Sequence, residues 1–533
     1  MRIQYILAAC SVAVAACAPD RPAMGGTMVV AIPGDADALL PPIATSQVGA
    51  QIADLLFPRL AALTHELNTV DDSGFVPVLA ERWERRDSLT IAFHLDPRGR
   101  WRDGVPITAG DVVFSHEVYS DPAVGSPYRA NLSRVVRVSA ESEHVAVVRF
   151  SGWYPEQLYD VAHYLRVLPR HLLDSVPRAS LASSRFAREP IGSGPFRFVR
   201  WRPGELIEVE ADTTWFRGRP RLDRIVFRVL PDVPAAVTAL LAGEADAMEV
   251  IPQRDELERV RRDTTVRLVP YPSPFVAGVA FNLRRPQFAE RELRRALAMA
   301  TDRATIVRSL FGEWGEVPPG ATSRMQWISQ SDVRQLPFDT AAAARLLDSL
   351  GWRDGNSDGV RERAGRPLRF TLLVPTTSRL RQEGAVLLQA QWRRIGVDLR
   401  VRAVDFPVFD RETRAGNFDA AFFSRTLDPS PASIAQYFGT AGIGGDNIGA
   451  WSDPAFDSLV AAATSARTRE QALPRWRAAL ERLNDEAAAI HIYAPRNHAA
   501  IARRITNVTI RPDYWLATVE SWGRATDASS RGH

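Results

Sequence analysis

Apolar positions repeat with strand or helix spacing in two well-separated stretches, and each reads as an α/β unit. In the first, residues 224–230 (RIVFRVL) alternate as a strand. Pro231 and Asp232 then open a helix over 233–242, with Asp232 as N-cap and Gly243 as a left-handed stop. A second strand follows at 247–251 (AMEVI). Strand, helix and strand this close together predict a parallel pair joined by a right-handed crossover. The second unit begins with a strand at 368–374 and a helix at 378–395 whose apolar positions include Leu380, Val386, Leu387 and Ala390. Val397, Leu399, Val401 and Ala403 alternate as the next strand. A short helix near 407–415 and a strand at 418–424 complete the unit.

Smaller signals agree. Residues 28–32 (MVVAI) form an apolar strand where folded sequence begins. Thr108 and Asp111 have capping-box spacing ahead of an apolar run. Asp302 caps a helix running to Gly312, and residues 340–350 form another that Gly351 stops. Two α/β lobes predict a cleft between them, where small ligands bind, and connections between lobes predict a hinge.

The N-terminus adds a location. Arg2 precedes an apolar run, Ile3 to Ala16, that is too short to span a bilayer and fits a secretory signal. It ends in Val14-Ala15-Ala16-Cys17, similar to a bacterial lipobox with Cys17 as the lipidated residue; Cys10 also fits the pattern but leaves too short an apolar run. Both cysteines lie in the first 17 residues, so the mature chain can hold no disulfide. The expectation is a lipoprotein anchored to a membrane of the cell envelope or periplasm. Residues 18–27 read as a flexible tether and 524–533 as a polar tail, and no later run has the length of an apolar spanning helix.

At 533 residues the chain is long enough for about two to four domains. A net charge of +4 is too slight for a nucleic-acid footprint. All 66 basic residues are arginine, so any basic contact is planar and capable of bidentate bonding. Signatures of catalysis are missing from the sequence. The nine histidines include no H-E-x-x-H pair, no cysteine remains for zinc, and there is no G-x-S-x-G elbow. Gly192-Ser193-Gly194 and the glycine-rich loop 442–445 lack the lysine and hydroxyl residue of a phosphate loop. Residues 354–359 (DGNSDG) start like a calcium loop, but loop position twelve is Gly365, so a tight turn is expected. The reading is a binding protein, not an enzyme, with no cofactor and no metal.

Four stretches carry a resemblance. Leu79-Ala80-Glu81-Arg82-Trp83 is followed by Phe93-His94-Leu95-Asp96 and by residues 101–112 (WRDGVPITAGDV). Residues 190–196 (PIGSGPF) lead to Trp215, Leu222-Asp223 and residues 239–246 (ALLAGEAD). Phe281-Asn282 precedes residues 293–298 (LRRALA) and Thr301-Asp302-Arg303, and Trp451-Ser452-Asp453-Pro454 precedes Phe456-Asp457-Ser458-Leu459. In this order the stretches resemble solute-binding family 5, the peptide- and nickel-binding lipoproteins of ABC importers.

The resemblance implies a periplasmic-binding-protein-like α/β fold: two α/β lobes with a hinge and an additional inserted domain. The first lobe would comprise 28–57, 188–270 and 501–523, the inserted domain 58–187 and the second lobe 271–500. The implied function is to capture a solute, first of all an oligopeptide, and deliver it to ABC permease subunits in the membrane. A monomer without nucleic-acid partners is expected. In peptide-binding members of the family, an aspartate three residues before a D-P or E-P pair takes the ligand's amino terminus. Asp428-Pro429 matches that pair, which puts Arg425 at the aspartate's place. Arg425 then either binds a carboxylate or phosphate, or turns to solvent after a shift of the loop. An anionic solute, a blocked peptide or a metal chelate is therefore the alternative ligand, and a lipid-anchored hydrolase is the rival of another class. Phe423 resembles an apolar pocket wall, with core packing as the plainer reading. Ser46-Gln47-Val48 resembles an edge that pairs with peptide backbones.

Overall fold

The computed structural model describes residues 25–330 and 332–525. The signal segment, Cys17 and most of the predicted tether and tail lie outside these residues. At their inner ends both segments are tied down: Gly25 N–H donates to Arg221 O, and Ala525 N–H donates to Arg504 O (both 2.7 Å).

The main sheet runs through both lobes. Its strand order is Asp398–Val404, Arg369–Pro375, Ala420–Thr426, Phe275–Phe281, Ala489–Ala502, Ala247–Met248, Thr27–Ile32, Arg224–Val229, Leu206–Ala211 and Phe196–Arg202. The central strand, Ala489–Ala502, belongs to both halves. Its first residues pair with Phe275–Phe281, and its last ones pair with Val266–Pro272 and Ala247–Met248. The chain also crosses between the halves at Ser273-Pro274. These two crossings form the hinge. Prolines at 270, 272, 274 and 495 hold them extended, because each fixes its own φ and steers the preceding residue away from helix. A separate four-stranded antiparallel sheet, Ala80–Asp87, Thr90–Leu95, Val145–Phe150 and Val135–Ser142, is the added domain's framework.

Most predicted elements form close to their expected bounds because their signals are local. The helix Val233–Leu241 is capped by Asp232, whose carboxylate accepts from Ala235 N–H (2.9 Å). Arg303–Phe311 is capped by Asp302 and stopped at Gly312, with φ 63°. Asp111 accepts from Thr108 N–H (2.8 Å), closing the capping box. Two expectations need correction. Arg224–Val229 and Ala247–Met248 are parallel but not neighbours, because Thr27–Ile32 pairs between them. The second of these strands also ends at Met248, since Glu249 and the residues after it turn into the cleft.

Candidate functional site

A cavity of about 500 Å³ lies between the lobes, within the size range of pockets that hold small molecules. The helix Gln47–Leu56 gives it Gln47, Gln51 and Asp54. These sit at i, i+4 and i+7, one face of a helix whose other face buries Ile52, Ala53, Leu55 and Leu56. Glu249 enters from the carboxyl end of Ala247–Met248. Opposite are Leu310 and Phe311 at the end of the helix Arg303–Phe311, Trp314 just after it, and Leu380 beyond the carboxyl end of Arg369–Pro375. Both lobes therefore present the carboxyl ends of parallel strands, where open α/β sheets bind ligands. The hinge itself contributes Tyr271, Phe275, Arg496 and Asn497.

One wall carries paired charges. Arg166 Nε and Nη2 donate to the two oxygens of Asp54 (2.7 and 3.1 Å), and Arg59 Nη2 donates to Asp54 Oδ2 (2.7 Å). Burial pushes the Asp54 carboxyl up, but the two guanidiniums outweigh it and hold it well below the usual carboxylate range. Arg59 also donates to His163 O (3.0 Å). Burial, reinforced by Arg59 and Arg166, keeps the His163 imidazole neutral by pushing its pKa well down.

Glu249 is built differently. Gln47 Nε2 donates to both its oxygens (3.1 and 3.3 Å), and so does Gln51 Nε2 (3.0 and 2.9 Å). Trp515 Nε1–H donates to Gln51 Oε1 (3.3 Å), so the Gln51 amide must turn its NH₂ to Glu249. Burial raises the Glu249 carboxyl to about 7 against the pull of these amides.

The residues singled out in the sequence separate. Gln47 lines the cavity. Ser46 caps the helix, accepting from Gly49 N–H (3.0 Å), and Val48 packs against the core of the first lobe. Phe423 is buried among Leu373, Phe409 and Ile448. Arg425 shares its side of the strand. Its guanidinium lies 4.7 Å from the Tyr437 ring centroid, and Nη2 donates to Asp446 O (3.0 Å). The space beside Phe423 and Arg425 is about 20 Å³, room for about one water. Phe275 and Thr426 are directly opposed across antiparallel strands, so Thr426 faces the cavity side with Phe275 while Arg425 faces away. Asp428, two residues past the strand, keeps exposed surface and accepts from Tyr164 Oη (3.2 Å). The protein atoms packed around it displace part of its water and raise its carboxyl above the usual range.

Several conspicuous motif residues are structural. Asp246 accepts from Val29 N–H (2.8 Å) and Arg504 Nε (2.6 Å), tying the first strand to the C-terminal segment. Asn282 donates to Gly416 O (2.9 Å) and Phe418 O (2.8 Å). Gln51, Asp54, Arg59, Arg166 and Glu249 escaped the sequence reading. The signal for the first two was the polar stripe on an otherwise apolar helix, and for Glu249 its place just past a parallel strand.

Residues 74–445 match the family described as bacterial extracellular solute-binding proteins, family 5 middle, and the chain belongs to this family. It is 26% identical over 512 residues to the oligopeptide-binding protein AppA of Bacillus subtilis, covering 94% of this chain and 92% of AppA. The structure of AppA from that organism with a nonapeptide superposes with a TM-score of 0.75 at 24% identity, covering 95% of this chain and all of that one. NikA from Brucella suis in complex with Fe(III)-EDTA gives 0.80 at 19% identity, covering 94% of this chain and all of that one. The family and AppA are described as binding proteins, and the shared fold is the expected pair of α/β lobes with a hinge and an inserted domain.

Proposed function

We propose that this protein is the substrate-binding component of an ABC importer, which captures an oligopeptide between its lobes and presents the closed form to a membrane permease. The observation that carries the reading is the cavity walled from both lobes and from the two hinge crossings. A ligand drives closure only through contacts it makes better in the closed state, and a cavity with walls on both sides offers such contacts. AppA, a relative named for oligopeptide binding and aligned over nearly the whole chain, supports the ligand class. Binding and release without chemical turnover complete the cycle, so the protein acts as a monomeric receptor and not as an enzyme. The inserted domain, residues 58–187, moves with the first lobe, and Cys17 carries the lipid that holds the protein at the envelope.

Asp428 supplies the carboxylate for the ligand's amino group. Its side chain is accessible, and it lies against Tyr164, whose chain neighbourhood includes the cavity-lining His163 and Arg166. Arg425 stays with Tyr437 and Asp446, outside the contact. Thermal unfolding of residues 18–533 with a mixed peptide digest and with an N-acetylated copy tests both points. A ligand at about a hundred times its dissociation constant adds roughly 2.7 kcal/mol. The expected result is a raised midpoint with the free-amine digest that acetylation weakens. A rise with the acetylated digest alone would remove Asp428 from this role, and a rise with neither would point to a non-peptide solute.

A further inference from the structure

Glu249 has no use in the closing contacts or in the core, yet the fold goes to some length to hold it at the cavity wall. Both its oxygens take hydrogen bonds from neutral amides, Gln47 and Gln51, and one of those amides is oriented by an indole behind it. A carboxylate has about four acceptor sites, and amide donors bring no opposite charge. A carboxylate taken out of water without a cation is costly, and a cation arriving in the cavity relieves that cost. Three of the cavity's arginines are engaged elsewhere: Arg59 and Arg166 hold Asp54, and Arg496 Nε donates to Glu316 (3.3 Å). Arg254 lines the same cavity, and Glu249 takes its hydrogen bonds from Gln47 and Gln51 and not from it. Glu249 itself is partly open to the cavity.

We propose that Glu249 is the acceptor for a cationic group of the captured solute, the ammonium or guanidinium of a lysine or arginine side chain. The inference rests on the cavity being the solute site and narrows its ligands to basic peptides. Gln47 and Gln51 act as positioning residues that fix the carboxylate plane, so that a guanidinium can meet it edge-on with two parallel bonds.

Thermal-shift and calorimetric titration of the wild-type protein and of Glu249→Gln separate the possibilities. The probes are a tryptic digest, whose peptides end in lysine or arginine, a digest cut after glutamate and depleted of basic peptides, and free arginine and putrescine. The expected result is a preference of the wild type for the tryptic digest, with at least tenfold loss of that affinity in Glu249→Gln and little change for the depleted digest. Equal binding of both digests, unaltered by the substitution, overturns the inference while the peptide reading stands. A Glu249-dependent response to arginine or putrescine, with none to either digest, overturns the peptide reading and keeps the cationic site. No Glu249-dependent response to any probe overturns the inference. Glu249→Asp, which keeps the charge and shortens the reach, is expected to lose less than Glu249→Gln.

Discussion

A carboxyl whose pKa is raised by burial favours its protonated form in the folded chain, and two such groups make stability depend on pH. Glu249 and Asp160 are both pushed up to about 7 by burial, from ordinary values of 4.5 and 3.8. Between roughly pH 4 and 7 the unfolded chain sheds these protons while the folded chain keeps them, so the folded state binds more protons and stability falls as pH rises. Glu249 faces Gln47, Gln51 and Tyr271, with Arg254 on the same cavity wall. Asp160 accepts from Tyr154 Oη (2.7 Å), with Arg134 at 3.5 Å and Glu156 acting on it as a like charge. Glu249→Gln should be more stable than the wild type at pH 8, by about 1–3 kcal/mol, and close to it at pH 4. Calorimetric melts at the two pH values decide; parallel pH profiles would show that Glu249 does not titrate in this window. Asp246 is a buried carboxylate paired with Arg504. Removing it in Asp246→Ala leaves Val29 N–H and a cation without their acceptor, and should cost about 3–5 kcal/mol in a urea titration.

At the scale of elements, local signals were readable and pairings were not. Caps at Asp232 and Asp302, the helix Arg379–Arg393 and the alternation in Arg369–Pro375 all follow from residues within a few positions of each other. That Thr27–Ile32 lies between two strands nearly two hundred residues later follows from no short-range pattern. The same limit hid the site, whose walls come from five or more distant segments and share no motif. Motifs that are conspicuous in the chain proved to hold elements together. Arg294, on the helix Arg291–Met299, donates to Phe288 O (2.7 Å) and to Glu486 O (2.8 Å), which closes the end of the long helix Arg469–Asp485. Arg294→Lys keeps the charge but not the planar fork, so several buried carbonyls lose donors. It should destabilise the protein by about 1–3 kcal/mol, read as a lower urea midpoint with an unchanged slope. A midpoint within error of the wild type would mean that the lysine ammonium and water replace the fork.

Across the whole molecule the lobes meet on two rims, and the cavity lies between them. On one rim the helix Arg254–Arg262 touches the second lobe: Trp314 Nε1 donates to Glu258 Oε1 (3.3 Å), and Arg261 pairs with Glu313. On the other, the inserted domain touches it: Trp327 Nε1 donates to Thr69 Oγ1 (3.2 Å), and Ser430 Oγ donates to Glu156 Oε2 (2.8 Å). The second rim is the more buried, and burial raises the Glu156 carboxyl above its ordinary value. These bonds exist only while the lobes are together; on opening, water takes over each group. They therefore set the closure equilibrium and leave the folding of each lobe nearly untouched. Thr69→Val with Ser430→Ala keeps the side-chain shapes but leaves the Trp327 N–H and the Glu156 carboxyl without these partners in the closed form, and also removes the Thr69 Oγ1 to Glu156 Oε1 bond (2.5 Å) inside the inserted domain. A bias of about 2 kcal/mol toward the open form would weaken apparent ligand affinity by roughly thirtyfold, because binding must supply the missing closure energy. Small-angle scattering should show a larger radius of gyration for the ligand-free double variant and a return to the closed value only at higher ligand concentration. An unchanged radius with unchanged affinity would mean that the remaining contacts, Tyr164 to Asp428 and the helix Arg254–Arg262 rim, set closure, and Glu258→Gln would then be the next substitution to measure.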